Sequence, residues 1–446
     1  MLSASPQPNN QLGLWGDLMS HLNQKHPLFI LANKIDWTIF ESAFKKHYSE
    51  KMGKPSKPIR LMVSLLVLKQ LRNLSDESIV EQWSENIYYQ YFSGEQSFQP
   101  CIPCVPTELV AFRKRIGEEG VELILKESIR INEPPDDAGK TVVSIDTTVQ
   151  EKNITYPTDD KLYKKIIRKC WKIAEESGTA LRQSYVRTVK KLSTIQRFKK
   201  SKNGAKQAKK ASRRIKTIAA TLVRELGRKL SLDHLGKHLP HLKLYWKVLL
   251  QKRGDSNKIY SLHEPDVKCY TKGKEHKKFE FGSKVSILAC QQTGILMGAL
   301  SFAENVHDSK TLPEVLEQFE RLNGKEVSEA FVDRGYRGMK QYKSTLIQVP
   351  QPDKNISRTK RKRHSKRAGI EPIIGHLKSG YRMGRNFLKG IIGDKLNAML
   401  AAAAMNFQRA MNLWRTEANL RWKLLLNYIY QVMGNILSLF LIKPTF

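Results

Sequence analysis

The chain has 446 residues, of which 40% are hydrophobic and 27% are charged, so it can bury a large core and form two or three domains. Its formal net charge is +35, from 77 basic and 42 acidic residues. Such an excess of positive charge repels itself unless the working partner is a polyanion, and nucleic acid is the usual one. The alternative is a basic protein whose charge serves only solubility.

The cysteine count and the termini indicate where the protein works. Five cysteines, an odd number in a long chain, argue against a disulfide framework and for a reducing compartment. No charged segment followed by an apolar core begins the chain, so we expect no signal peptide and a cytoplasmic protein. The apolar run 424–442 is interrupted by Asn427, Gln431 and Asn435, which favours a packed or dimer-forming helix over a membrane span.

The first third of the chain has helical patterning. We expect loose order over residues 1–25, helices over 36–94 and another helix over 108–131. Within 61–87, two helices joined by a tight turn at Leu74-Ser75-Asp76 form either a DNA-reading helix-turn-helix or an ordinary helical hairpin. A Pro-, Asp- and Gly-containing linker at 133–139 then marks a boundary, so residues 1–133 are predicted to be an all-α domain for DNA-end binding or dimerisation.

The middle of the chain alternates strands with basic helices. A strand is predicted over 140–149, and a basic helical segment over about 159–250. Within 187–229 there are 16 Lys or Arg residues and one acid, Glu225, a balance that suits contact with a phosphate backbone. Further strands are predicted at 258–260, 279–289 and 295–302, the last two joined by a turn at 291–294.

The last third is predicted to hold two more strands and several helices. A helix begins near Asn305–Asp308 and runs to about 322, and strands follow at 326–333 and 346–349. Residues 354–367 carry eight Lys or Arg and no acid, which predicts disorder unless phosphate is near. Helices over 394–415 and 416–442 end the chain. His307 and Asp308 could be catalytic, although helix capping explains Asp308 more simply.

Three acids stand in places that suit a metal site. Asp146 and Asp333 each follow a short β-branched run, as at the end of a buried strand. Glu371 lies between Arg367 and Lys378 at offsets that would place all three on one side of a helix. Two carboxylates at strand ends and one on a helix could converge on a pair of Mg²⁺ ions. Because Pro372 disfavours helical geometry at the preceding residue, Glu371 is either within an earlier-starting helix or at its cap.

The order of these blocks resembles the DDE transposases of bacterial insertion sequences that carry a Tyr-x2-Arg-x3-Glu-x6-Lys signature. Arg367, Glu371 and Lys378 match its last three positions, while His364 stands where the signature has Tyr. The blocks 146–150, 156–159, 333–338 and 383–390 are also similar to that family. The resemblance implies an α/β ribonuclease-H-like catalytic core over 134–412 with a helical insertion at about 159–250 after the first strand, an N-terminal all-α domain, and a C-terminal helical tail over 413–446.

The resemblance also implies roles for named residues. Asp146, Asp333 and Glu371 would be the catalytic ligands of two Mg²⁺ ions, with Mn²⁺ as a substitute. Arg367 and Lys378 would hold the scissile phosphate. Further DNA contacts would come from the following basic residues: Arg334, Arg361, Lys362, Arg363 and His364.

The activity that follows is cleavage at the terminal inverted repeats of the element and transfer of a DNA 3′-hydroxyl to target DNA, by a homodimer on paired ends. The alternatives are a nuclease of the same fold that only hydrolyses DNA, and a non-catalytic DNA-binding protein derived from a transposase.

Overall fold

A computed structural model describes residues 17–49, 55–132, 141–252, 254–271, 278–350 and 357–440, with the side chain of Lys360 and those from residue 417 onward excepted. The predicted linker at 133–139 lies outside these ranges. Residues 1–25, expected to be loose, fall partly outside them, but a short helix forms at their end.

The chain begins with seven helices, and all except the first contribute to one core that they share with the sheet described below. They are α1 (Leu18–His21), α2 (Pro27–Lys34), α3 (Trp37–Lys45), α4 (Ile59–Leu71), α5 (Asp76–Glu85), α6 (Ile87–Phe92) and α7 (Pro106–Asn132). The helix α4 lies at the centre of this region, because all of its residues except Arg60 are buried. The helix α7 bends at Gly117, whose φ of 61° lies in the left-handed region that glycine tolerates best.

The second part of the chain starts with one strand and continues with four helices. The strand is β1 (Val142–Glu151), and the helices are α8 (Asp159–Glu176), α9 (Val186–Ile195), α10 (Ala205–Lys229) and α11 (Leu232–Leu250). The helices form a hydrophobic core of their own, separate from that of the sheet. In α10 the apolar and basic residues lie on opposite faces: Ile215, Leu222 and Leu226 are fully buried, and the lysines are exposed.

The remaining elements complete the sheet and cover it. They are β2 (Lys268–Thr271), β3 (Phe279–Cys290), β4 (Leu296–Phe302), α12 (Asp308–Asn323), β5 (Glu329–Phe331), β6 (Gln341–Tyr342), β7 (Thr345–Gln348), α13 (Arg358–Arg367), α14 (Ile370–Gly380) and α15 (Gly390–Phe440). The predicted boundary at residue 413 therefore falls inside α15, which packs against α7 and β4.

The sheet combines parallel and antiparallel pairing. Its order is β2-β3-β1-β5-β7-β6, with β4 also paired to β3. The strand β1 is antiparallel to β3 and parallel to β5, and β5 is parallel to β7. The five strands β4-β3-β1-β5-β7 thus place the first strand of the sheet in the middle, where it is covered on both sides and buried.

Several predicted elements differ from the structure. Residues 258–260 are not a strand, because the Gln251 side chain accepts from the Ile259 amide at 3.0 Å and donates to the Ile259 carbonyl at 3.2 Å, which satisfies that backbone locally. The fifth strand is only Glu329–Phe331, and an unpredicted short strand pairs with β7. The basic segment 358–367 is a helix, so the expectation of disorder is wrong there.

Among the described residues, no helix is both long enough and apolar enough to cross a membrane. The side chains of the apolar run 424–442 lie outside the described part of the chain.

Candidate active site

The two predicted strand-end aspartates lie side by side. The parallel pairing of β1 with β5 matches Val142 with Glu329 and Ser144 with Phe331, an offset of 187 residues. The same offset separates Asp146 from Asp333, so each aspartate lies two residues beyond the last matched pair. Neighbouring strands are about 4.8 Å apart. The sheet therefore brings these two carboxylates to one level of adjacent strands, at the point where β5 ends and β1 continues.

Local hydrogen bonds orient both carboxylates. Asp146 Oδ1 accepts from the Thr147 amide at 2.7 Å, and Asp333 Oδ1 accepts from the Gly335 amide at 2.8 Å. Burial raises the pKa of Asp146 to about 6, and the negative charge of Asp333 adds to the rise. A buried carboxyl group with a second carboxylate beside it forms a site where bound positive charge is favourable.

A third aspartate, Asp308, lies in the same cluster. Its Oδ1 atom accepts from the Thr147 hydroxyl at 2.8 Å and from the Lys284 ammonium at 2.7 Å. A side chain added at Gly335 would have its Cβ 3.0 Å from Asp333 Oδ1 and 3.3 Å from Asp308 Oδ2, so both carboxylates face the same small space. Any larger residue at this position would have to displace one of the two carboxylates.

The simpler interpretation of Asp308 as a helix cap is wrong. The cap of α12 is His307, whose side chain accepts from the Ser309 amide, and Asp308 is the first helical residue. The Asp308 carboxylate instead bonds Thr147 and Lys284 across the sheet. No spacing in the sequence links residue 308 to residue 147, so only the tertiary fold could identify this contact.

The predicted single helix from Arg367 to Lys378 is broken in two. The helix α13 ends at Arg367, a turn at Ala368-Gly369 follows, and α14 begins at Ile370. Pro372 is then the third helical residue, where its missing N–H has no intrahelical partner to lose. This answers the question left open by the sequence: Glu371 lies within the first turn of a helix that starts just before it.

The three signature residues occupy different positions around the acids. Arg367 Nη1 is 3.9 Å from Asp146 Oδ2, with both side chains largely buried. Glu371 is exposed on α14, a helix that packs against β1. Lys378, at the other end of α14, has its Nζ 3.9 Å from Glu280 Oε1. The structure thus joins Arg367 to the aspartates directly and brings the helix of Glu371 and Lys378 against the strand of Asp146.

The other predicted DNA contacts divide into exposed and packed residues. Arg334, Arg361 and Lys362 are exposed. Arg363 donates to the Glu329 carboxylate at 2.8 Å, and the His364 ring lies edge-on to Phe331 at 5.0 Å. These last two side chains hold α13 against β5, so their contacts in the structure are to the protein itself.

The donor set suits a hard divalent cation. Asp146, Asp333, Asp308 and Glu371 offer only carboxylate oxygens, the ligands that Mg²⁺ prefers. Within the described ranges no three His, Cys, Asp or Glu side chains are close enough together, as placed, to ligate one ion. The paired aspartates and the pKa of Asp146 fit a metal, and Glu371 would have to turn toward them from α14.

The helix pair α4–α5 is poorly suited to reading DNA. The helix α4 is buried, and the exposed positions of α5 include Glu77, Glu81 and Glu85, which recur every four residues and so form one acidic stripe. A stripe of carboxylates repels the phosphate backbone. Of the two interpretations, the helical hairpin describes this pair better.

The exposed basic surface lies on the helices between β1 and β2. In α10 the side chains of Lys206, Lys209, Lys210, Arg213 and Arg214 are all exposed. Their helix is 25 residues long, or about 37 Å at 1.5 Å per residue. That length is close to one turn of B-form DNA, about 34 Å. This face of α10 is here called the α10 basic face.

Comparisons with known proteins agree with this arrangement. Residues 16–115 match the family described as "Transposase domain (DUF772)", and residues 258–407 match the "Transposase DDE domain". The second match runs from before β2 into α15, so it includes Asp308, Asp333 and Glu371 but not Asp146 on β1. A DDE transposase domain implies a ribonuclease-H-like fold. The chain is also 39% identical over 175 residues to "Uncharacterized protein ORF8 in nfe locus" of Rhizobium meliloti, covering 38% of this chain and 83% of that protein. No solved structure matches.

Proposed function

Because this chain belongs to the insertion-sequence transposases, we propose that it cleaves DNA at the ends of its element and joins the freed 3′-hydroxyl groups to a new site. The observation that carries the proposal is the matched register of Asp146 and Asp333 on β1 and β5, with the Arg367 guanidinium 3.9 Å from Asp146. Paired acids beside an arginine form a site that can hold both a cation and a phosphate.

Asp146, Asp333 and Glu371 are the residues that would hold divalent metal. A divalent ion such as Mg²⁺ held by them would supply Lewis-acid chemistry, which activates water or a DNA 3′-hydroxyl and offsets charge on a leaving oxygen. Asp308 is kept in place by Lys284 and Thr147, so we assign it the role of a positioning residue behind Asp333.

Two basic residues are proposed to hold the scissile phosphate. The planar guanidinium of Arg367 can donate two parallel hydrogen bonds to phosphate oxygens, whereas Lys378 acts as a mobile point charge. Arg367 ends α13 and is largely buried beside Asp146, so its reach is fixed by the fold. Replacing Arg367 with lysine would keep the positive charge and lose the pair of parallel hydrogen bonds to phosphate.

The α10 basic face is proposed to bind the DNA backbone without regard to sequence. Its five exposed cations lie on a rigid helix, anchored by an apolar face of its own. Such contacts supply affinity and position, while sequence is read elsewhere. Assembly as a dimer on paired ends is part of the same proposal.

The test is a cleavage assay on a labelled duplex from the DNA that flanks the gene. Wild-type protein with Mg²⁺ or Mn²⁺ should nick the duplex at the element end and, with target DNA present, give joined products. Asp146→Asn should abolish both products, by at least about 10³-fold, and keep DNA binding. The matched control is Glu119→Gln, whose side chain is 90% exposed and which should cleave normally.

Each other outcome assigns a different function. Cut DNA without joined products would indicate a nuclease. End binding without any metal-dependent product would indicate a non-catalytic DNA-binding protein. Undiminished cleavage by Asp146→Asn would remove the paired aspartates from the chemistry.

A further inference from the structure

A cleft of about 580 Å³ opens beside the end of β1, away from the acids. Its walls include three aromatic rings and two exposed cations: Tyr156, Phe279, Phe281, Lys278 and Arg385. The volume lies within the range of about 300–1,000 Å³ that is usual for pockets that take one small ligand. It is here called the aromatic cleft.

The rings of the aromatic cleft leave one large apolar surface uncovered. Tyr156 is 57% exposed, although its ring contacts Phe281 edge-on at 5.4 Å. The Phe281 ring also packs against the Tyr260 ring, with 5.2 Å between the two ring centroids. The exposed tyrosine ring is therefore held in place by packing, and a rigid, partly uncovered ring is a surface on which a flat ligand can stack.

The charges of the aromatic cleft are arranged around its rim. Lys278 and Arg385 are exposed, whereas Lys152 in the wall is buried and bonded to Asp394 at 2.6 Å and near Glu264 at 3.4 Å. The wall lysine is thus neutralised within the protein, and the cations open to a ligand are those at the rim. The aromatic cleft thus combines aromatic rings and exposed cations, with the Glu151 carboxylate also in its wall. Rings and cations are the features that bind a nucleotide, through its base and its phosphate respectively.

The wall of the aromatic cleft is connected to the acids through β1 and to Lys378 through the turn after α14. Glu151, in its wall, is five residues after Asp146 on β1, or about 17 Å at 3.4 Å per residue. The Lys378 carbonyl accepts from the amide of Gly384, also in the wall, at 3.1 Å. For DNA held at Asp146, the distance to the cleft wall along β1 corresponds to about five steps of 3.4 Å.

We propose that the aromatic cleft binds a single unstacked nucleotide of DNA, with its base on Tyr156 and its phosphate between Lys278 and Arg385. This inference rests on the proposed function, because DNA bound at the acids is what brings a strand to the cleft. It adds a base-binding site some distance from the scissile phosphate, so it predicts a local distortion of the DNA that the acids alone do not require.

The first test compares three labelled duplexes of one sequence by fluorescence anisotropy without divalent ions. One is fully paired, one has a single bulged thymidine, and one has a bulged abasic nucleotide. Wild-type protein should bind the thymidine bulge about 5- to 100-fold more tightly than the paired duplex, because a stacked base contributes that much. The abasic bulge has the flexibility but no base, so it should bind like the paired duplex.

Substitutions of residues in the aromatic cleft test whether the cleft causes the preference for the thymidine bulge. Tyr156→Ala should remove the preference for the thymidine bulge and leave binding to paired DNA unchanged, and Tyr156→Phe should keep it. Arg385→Gln, a second rim variant, should weaken binding to the thymidine bulge more than to paired DNA. The matched control is Phe198→Ala, another exposed aromatic residue at 58%, which should keep the preference.

Either of two results overturns the inference: an abasic bulge bound as tightly as the thymidine bulge, or a full preference in Tyr156→Ala. The assay needs no cleavage, so its failure is distinct from failure of the proposed chemistry. A protein that cleaves DNA but shows no bulge preference rejects only the cleft.

A photocrosslinking walk identifies which DNA supplies the nucleotide. Single 5-iodouracil substitutions are moved through an element-end duplex and through an unrelated target duplex, and the crosslinked peptide is identified by mass spectrometry. Crosslinks to Tyr156 or Phe281 from one fixed position of the end duplex assign end DNA, and crosslinks from the unrelated duplex assign target DNA. The absence of any crosslink to either ring, with both duplexes bound, contradicts the inference.

Discussion

The N-terminal helices and the segment between β1 and β2 are both helical, yet they differ in how their charges are balanced. Residues 1–132 contain 15 Lys or Arg against 14 Asp or Glu, whereas residues 159–250 contain 26 against 6. In the first region, Asp76 is bonded to Arg113 at 2.6 Å and to Lys69 at 2.7 Å. In the second, most of the cations face solvent.

The buried acids Asp76 and Asp146 also differ in how their charge is balanced. Burial opposes the ionised form of Asp76, but the hydrogen bonds from Arg113 and the charge of Lys69 outweigh it, so its pKa lies below its ordinary value. For Asp146, burial raises the pKa and the charges of Asp333 and Asp308 add to the rise, which the Arg367 charge offsets only in part. Matched charges here stabilise the fold itself, whereas the surfaces proposed to bind metal and DNA carry an excess of one sign of charge.

The largest expected effect concerns the α10 basic face. Changing its five exposed cations to glutamine should flatten the salt dependence of DNA binding, by about 0.9 in the log–log slope for each phosphate that the helix no longer neutralises. If each of the five cations neutralises one phosphate, the slope should fall by about 4.5 in total and affinity at 0.1 M salt should fall on the order of 10⁴-fold. Anisotropy titrations over a series of salt concentrations measure both.

A matched set from the neutral region is the control. Five exposed N-terminal cations can be changed to glutamine in the same way: Lys45, Lys46, Lys114, Arg115 and Lys126. This set should leave the slope nearly unchanged. Equal reductions in affinity from the two sets would show that binding follows net charge alone, and the comparison between the regions would fail.

The next effect is the loss of a matched buried charge. Asp76→Asn leaves Lys69 and Arg113 buried without their acid, which should destabilise the fold by about 3–5 kcal/mol. Denaturant unfolding at pH 7 measures the change. A variant as stable as wild type would show that the cluster around Asp76 contributes nothing to the fold.

Whereas Asp76→Asn should destabilise the fold, Asp146→Asn should stabilise it at high pH. The folded pKa of Asp146, about 6, is above its ordinary value of 3.8, so its contribution to stability is present below pH 3.8 and is lost as the pH rises through 6. Without divalent ions, Asp146→Asn should therefore be more stable than wild type above pH 6, by up to about 3 kcal/mol, and similar at pH 4.

Unfolding at pH 4 and pH 8 tests the sign of this change. Adding Mg²⁺ at pH 8 should stabilise wild type and leave Asp146→Asn unaffected. A variant that is less stable than wild type at pH 8 would contradict the origin assigned to the raised pKa.

The smallest expected effect concerns the acidic stripe of α5. Changing Glu77, Glu81 and Glu85 to glutamine should alter DNA affinity by less than about threefold, and toward tighter binding, because repulsion is removed at an exposed face. A marked drop in affinity for element-end DNA would show that α5 reads bases after all.

The sequence was sufficient for features that depend on local pattern. The runs before Asp146 and Asp333 predicted strands because β-branched residues favour a buried strand, and the two faces of α10 follow from helical periodicity. The blocks around 333–338 and 367–378 identified the family, which the comparisons confirm at the level of an insertion-sequence transposase.

Features that depend on tertiary contacts were missed. Residues 258–260 have a strand-like composition, but the Gln251 side chain takes over the backbone hydrogen bonds of Ile259. Arg367 and Ile370 lie in separate helices because the chain turns at Ala368-Gly369, and Pro372 falls in the first turn of the second helix. The spacing of the signature residues alone does not predict this turn. Asp308 is held in the acidic cluster by hydrogen bonds from Thr147 and Lys284, which are 161 and 24 residues away in the chain.

The most direct test of the central assignment is iron-mediated cleavage of the protein backbone. Fe²⁺ bound in place of Mg²⁺ produces radicals, in the presence of ascorbate and peroxide, that cut the chain close to the metal. A site formed by the three proposed ligands predicts cuts near residues 146, 333 and 371, all suppressed by excess Mg²⁺. Cuts near 146 and 333 that leave the chain around Glu371 intact, or cuts at unrelated positions, would contradict the assignment of Glu371 and the aspartates to one metal site.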